Sequence, residues 1–106
     1  MTDVESKLRA MATEAETMGK AKQAAIGLDN LRKAKRAELM RTQAGTKDER
    51  EGYAITQPEY MELCEQYAEA EGDYIRLKAR HEIGMAWVSF QQTLARLERT
   101  HNAMIT

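Results

Sequence analysis

Apolar and polar residues alternate along this chain with the period of a helix lying against another helix. Tyr53, Tyr60, Tyr67 and Tyr74 are the four tyrosines, each seven residues from the last, and the next two steps land on His81 and Val88. Seven residues make two helical turns, so Tyr60, Tyr67 and Tyr74 share one face. Leu63, Ala70 and Leu77 follow three residues after them and complete a seam of alternating three- and four-residue steps. The N-terminal segment carries a matching stripe at Val4, Leu8, Met11, Ala15 and Met18. Past Gly19 the stripe becomes small and less regular, through Ala21, Ala24, Ala25, Ile26, Leu28 and Leu31, and ends near Leu39 and Met40. No proline interrupts it, so one helix is predicted from about residue 3 to about residue 42, roughly 60 Å long.

Punctuation signals cluster in one place. Thr2 or Asp3 can N-cap the first helix, and Thr2 with Glu5 forms a capping box. Gly45 can end that helix, Thr46 with Glu49 opens a single turn, and Gly52 closes it. Pro58 then stands near the start of a second long helix, with Thr56 and Glu59 as a further capping box. This helix is predicted from about residue 58 to about residue 102, after a connection over about residues 43–57. Two long helices joined by one short connection favour an all-α antiparallel hairpin, a single domain over residues 1–106. In such a hairpin residue i lies opposite roughly residue 100−i.

Charge fits that pairing. Residues 20–41 hold Lys20, Lys22, Arg32, Lys33, Lys35, Arg36 and Arg41 against Asp29 and Glu38; residues 48–73 hold nine carboxylates against Arg50. Folding back sets the basic stretch beside the acidic one. Exposed pairs of this kind stabilise by only a few tenths of a kcal/mol, roughly, but they select orientation.

Beyond Tyr74 a second stripe opens. Ile83, Trp87, Phe90, Leu94 and Leu97 lie nearly opposite the tyrosine face, with their own four-three spacing. One partner helix cannot cover both faces, and two helices make a poor core. The expectation is a homo-oligomer, most simply a two-fold dimer whose hairpins form a four-helix bundle; the alternative is that this stripe binds another protein.

Composition narrows the class further. One proline, six glycines and 31% charged residues suit long helices, and a net charge of −1 shows no general basic excess of the kind nucleic-acid-binding surfaces carry. Cys64 is the single cysteine and has no internal disulfide partner, which fits a reducing compartment. No apolar run approaches membrane-spanning length, and the acidic start Met1-Thr2-Asp3-Val4-Glu5 lacks a signal-peptide core. A cytoplasmic protein without membrane contact or cofactor is expected.

Candidate chemistry is sparse. His81-Glu82-Ile83-Gly84-Met85 begins like a zinc-protease helix but has Met85 where the second histidine belongs, and His101 is about five turns away. His81 reads better as a polar register-setting residue on the tyrosine seam. Glu62, Glu65, Glu69 and Asp73 bring carboxylates together, yet nothing else marks a general-acid pocket, and a solvated face explains them. Cys64 carries no sign of an activated thiolate. There is no glycine-rich phosphate loop or nucleophile elbow, so no catalytic or metal-binding residue is assigned. The tyrosines could stack bases, but heptad spacing favours a helix seam. Arg32, Lys33, Lys35 and Arg36 could touch phosphates, against pairing with the acidic helix. Gly27 would sit almost opposite Gly72, where a close backbone approach is plausible.

One stretch carries a resemblance. Asp48-Glu49-Arg50-Glu51-Gly52-Tyr53-Ala54, then Pro58-Glu59-Tyr60, then an acidic helix ending in Tyr74-Ile75-Arg76-Leu77-Lys78-Ala79, resembles a group of small tailed-phage and prophage proteins. In those an "EREAYA…PEY" element joins two long helices. The likeness covers roughly residues 46–90; Gly52 stands where the pattern has alanine, and the C-terminal aromatic region departs further. It implies a phage origin and an early gene acting near DNA replication or recombination, and it assigns no activity and no residue role. Together these readings predict a non-enzymatic, dimeric coiled-coil adaptor. The alternatives are a nucleic-acid binder using the basic stretch, or an inhibitor docking on a host protein through Trp87, Phe90 and Leu94.

Overall fold

A computed structural model describes residues 3–105. Three helices account for nearly all of them: α1, Asp3–Arg41; α2, Lys47–Ile55; and α3, Pro58–Ile105. The described residues contain no strand, and α1 and α3 are the two arms of a long helical hairpin. The capping expectation at Thr2 falls outside the described residues.

The connection differs from its sequence reading in two respects. α1 ends at Arg41 through tightened last-turn bonds, Thr42 N–H to Leu39 O (3.2 Å) and Gln43 N–H to Met40 O (3.3 Å). The reversal follows at Gly45, whose φ of +117° favours glycine. Thr46 then N-caps α2, its hydroxyl accepting from the Glu49 N–H at 3.2 Å. The expected single turn closed by Gly52 is instead a nine-residue helix that runs through Gly52 to Ile55. Burial explains the extension: Ala54 is fully buried, and its packing offsets the roughly 1 kcal/mol cost of a mid-helix glycine. Thr56 also takes another role. Its hydroxyl donates back to Tyr53 O (2.9 Å), so it C-caps α2 and does not N-cap α3. α3 starts at Pro58, with Gln57 O accepting from Met61 N–H (3.0 Å).

The chain packs as two compact units. The second, Gly19–Ile75, holds the later part of α1, all of α2 and the start of α3. Within it Ala25 is buried, and Ala21, Leu28, Arg32 and Leu39 of α1 are half-buried, as are Tyr60, Leu63, Tyr67, Ala70 and Tyr74 of α3. Lys22 lies over the Tyr74 ring and Arg32 over the Tyr67 ring, so within this unit α1 and α3 run antiparallel with paired numbers summing to 96 and 99. The 100−i register is therefore correct to about one turn. Gly27 is exposed, and a Cβ added there would meet nothing within 4 Å, so the expected close approach to Gly72 is absent.

The first unit holds α1 up to Met18 and α3 from Arg76. Its centre is Met11 against Gly84, with Val88 also buried. Here Val4, Met11 and Met18 of the α1 stripe are covered as its spacing predicts, but Leu8 and Ala15 are not. Leu8 is 43% exposed and Ala15 is exposed, while Lys7 and Glu14 are half-buried. The opposite seam supplies the reason. Gly84 leaves room for the Lys7 stem, whose Cε would stand 3.3 Å from a Cβ at that position. A lysine stem covers apolar surface while its ammonium reaches water.

Candidate functional site

Four groups of residues carry the chain's candidate functions: the seam, the basic cluster, the isolated histidines and the second apolar stripe. Along α3 the expected seam residues Tyr60, Leu63, Tyr67, Tyr74 and Leu77 are half-buried, as are Cys64, Ala70 and, further on, His81. The tyrosines do not form an open stacking platform, because two of them serve as seats for cations from α1. The Arg32 guanidinium carbon is 4.7 Å from the Tyr67 ring centroid and the Lys22 ammonium 5.8 Å from that of Tyr74. Cation–π contacts of this kind favour arginine held flat on the ring.

The basic cluster is thereby tied into the fold. Arg32 bonds Asp29 through both Nε and Nη2 at 2.7 Å, a two-point pairing, and Lys33 reaches the other Asp29 oxygen at 2.9 Å. Lys35 pairs with Glu38 at 3.4 Å, and Arg36 with Glu51 of α2 at 3.6 Å. Arg36 thus pairs with the acidic stretch over residues 48–73, as the charge pattern predicts, whereas Arg32, Lys33 and Lys35 are neutralised by carboxylates of α1 itself. The Lys33 hydrogen bond, helped by Arg32, holds the Asp29 carboxyl below its ordinary pKa against an opposing desolvation. The Asp29 bond raises that of Arg32, with smaller contributions from Cys64 and Tyr60 across the seam. Arg32 is thus a seam residue, its side chain 28% exposed; Lys33, at 61%, faces solvent.

His81 and His101 are separate. His81 is half-buried and its Nδ1 has no hydrogen-bond partner; the same holds for Glu14 Oε2. The register that sets Met11 against Gly84 puts these two residues at one level of the seam, their numbers also summing to 95. Sequence reasoning missed this level because it took Ala15 as the inward residue; the seven-residue step from Lys7 to Glu14 was the available signal. Among the described residues no three His, Cys, Asp or Glu side chains gather to hold a metal ion. No described helix is long and apolar enough to cross a membrane.

The second stripe is an exposed apolar face of the first unit. Ile83 is 70% exposed, Phe90 59%, Leu97 57%, and Trp87 and Leu94 38% each. Beside it runs a groove of about 550 Å³ lined by Ser6, Lys7 and Ala10 of α1 and by Ile83, Gly84 and Trp87 of α3, with Asp3 and Arg80. Small residues on both helices, Ser6 and Ala10 of α1 and Gly84 of α3, open this groove. α3 also outlasts its neighbour. Asp3, the first described residue of α1, is level with about residue 92, so Leu94, Leu97, Met104 and Ile105 have no described part of α1 beside them. A second, smaller hollow on this stretch is lined by α3 residues alone, Leu94, Leu97, Glu98, His101 and Asn102.

Comparison with protein-family models, with curated proteins and with solved structures yields no match to this chain.

Proposed function

We propose that the protein is a non-enzymatic interaction protein, a helical hairpin that pairs with a second copy into a four-helix bundle and serves as an adaptor. The observation that carries this reading is the uncovered stripe Ile83, Trp87, Phe90, Leu94 and Leu97. Surface area supports it. The chain leaves 7857 Å² in water. A folded monomer of 12.1 kDa ordinarily leaves about 6,000 Å². The surplus is well above the roughly 800 Å² that each partner contributes to an ordinary stable interface. Among the described residues no side chain larger than Met11 or Val88 is buried, so the hairpin's own packing supplies little of the apolar burial that folding requires.

The setting we propose, from the likeness of residues 46–90 to tailed-phage proteins, is phage DNA replication or recombination inside the bacterial host. Direct nucleic-acid binding through Arg32, Lys33, Lys35 and Arg36 has less support, since each of the four already neutralises a carboxylate. Sedimentation velocity across a wide concentration range tests the central claim. A dimer that persists on dilution is expected; a monomer at every concentration would overturn it. In that case the stripe becomes a docking face for a host protein.

A further inference from the structure

Resting on the self-association proposed above, we infer that the interface is an antiparallel pairing of α3 with α3 of a second copy, about a two-fold axis level with residues 88 and 89. The stripe itself has the spacing of a helix seam: Arg80, Trp87, Leu94 and His101 alternate with Arg76, Ile83, Phe90, Leu97 and Met104 at strict seven-residue steps. One flank of that seam is Ala79, Ala86, Thr93 and Thr100, all exposed, small and uncharged. A solvated flank would carry Glu and Lys; small residues instead permit a second helix to approach closely. The other flank is the groove beside α1, where Gly84, Ala10 and Ser6 leave space for an incoming side chain.

Charge selects the direction. Arg80 and Glu98 lie on the same flank at the two ends of the stripe, eighteen residues apart. Parallel helices would set that flank against the partner's opposite one, Ala79, Ala86, Thr93 and Thr100, where neither Arg80 nor Glu98 finds a counter-charge. In a two-fold antiparallel pair each flank faces its own copy reversed, so Glu98 meets the partner's Arg80 twice over. That register also pairs Phe90 with the partner's Trp87 and Leu94 with the partner's Ile83, and sets Leu97 on the aliphatic stem of the partner's Arg80. The pairing covers Leu94 and Leu97, which lie past the described start of α1. The partner's Phe90 and Leu94 are directed at the groove beside Trp87.

Site-directed cross-linking in the full chain tests this, with Cys64→Ser removing the native thiol. Ala79→Cys and Thr100→Cys are made singly. Each alone, treated with a short bismaleimide, gives no cross-linked dimer; the two mixed and refolded together do, because position 100 of the partner lies only two residues, about 3 Å along the axis, from the level of position 79. Cross-linking of each variant alone means a parallel pair and overturns the inference. A dimer in sedimentation with no cross-link in any sample also overturns it, while leaving self-association intact; a monomer overturns both. Glu98→Arg, which leaves every apolar contact in place, raises the dimer Kd about tenfold or more, and adding Arg80→Glu restores it. Loss without restoration by the swap counts against the pairing.

Discussion

Replacing Arg32 by glutamine separates two meanings of the basic cluster. In the fold Arg32 spans the seam, over the Tyr67 ring at 4.7 Å and bonded twice to Asp29. The substitution removes the cation–π contact, about 0.5–1 kcal/mol at a partly exposed site. It also shortens a mostly covered stem by about one methylene, roughly 0.8 kcal/mol. The ion pair adds little, being within one turn of the same helix. The expected loss is therefore about 1–2 kcal/mol. Lys33→Gln is the control: its side chain is 61% exposed, and the expected change is within about 0.5 kcal/mol. Urea denaturation followed by circular dichroism, at one fixed chain concentration so that association does not shift the midpoint, measures both. If Arg32→Gln and Lys33→Gln prove equally harmless, Arg32 is not a seam residue. A phosphate-contacting cluster would instead lose DNA affinity equally at both positions, with the salt slope falling by about one each.

Other expectations follow from the local geometry. Gly27→Ala raises stability by about 1 kcal/mol, since its methyl meets open space in mid-helix; a loss in thermal melts would reveal a neighbour packed there. Gly45→Ala lowers it by about 1 kcal/mol or more, because φ is +117° and the methyl would meet the Glu49 carboxylate at 2.5 Å. Thr46→Ala removes the cap on Glu49 N–H and costs about 1 kcal/mol in the same assay. Asp29 has a folded pKa below its unfolded one, so its contribution is present above the unfolded value, about 3.9, and fades as pH falls toward the folded value. Urea midpoints of Asp29→Asn should thus lie below the parent's at neutral pH and converge on them in acid; a gap unchanged by pH would refute the pairing.

How much of this could be read from residues alone depended on whether side-chain type and position agreed. On α3 they agree: tyrosines at seven-residue steps are large, alike and inward, so the seam was legible from spacing. On α1 they conflict. Leu8 looks inward by hydropathy, but the seam opposite is made of His81 and Gly84, and Lys7 and Glu14 turn toward it. The seven-residue repeat places Val4, Met11 and Met18 correctly, but it leaves open which of two neighbours, Lys7 or Leu8, completes the inward face. The corner failed in a similar way. Gly52 reads as a stop, and only the burial of Ala54 two residues later shows why the helix continues. The exposed stripe was legible because its five apolar residues have no competing assignment on α3; the groove beside it was not, since it needs Ser6 and Ala10 brought near Gly84.

The spacing of the seam contacts also sets an order of folding. Arg36 and Glu51 are about 15 residues apart, Arg32 and Tyr67 about 35, and Met11 and Gly84 about 73, so loop closure costs about 1.4 kcal/mol more for the last pair than for the first. Contacts near α2 form against the smallest entropic opposition, and the hairpin zips outward from that corner. The last rungs to close are those between the start of α1 and the C-terminal part of α3, and they are the first to open. In the dimer proposed above, a second chain arriving at α3 would therefore meet the part of the hairpin whose closure is least self-sufficient, and its binding would complete folding there.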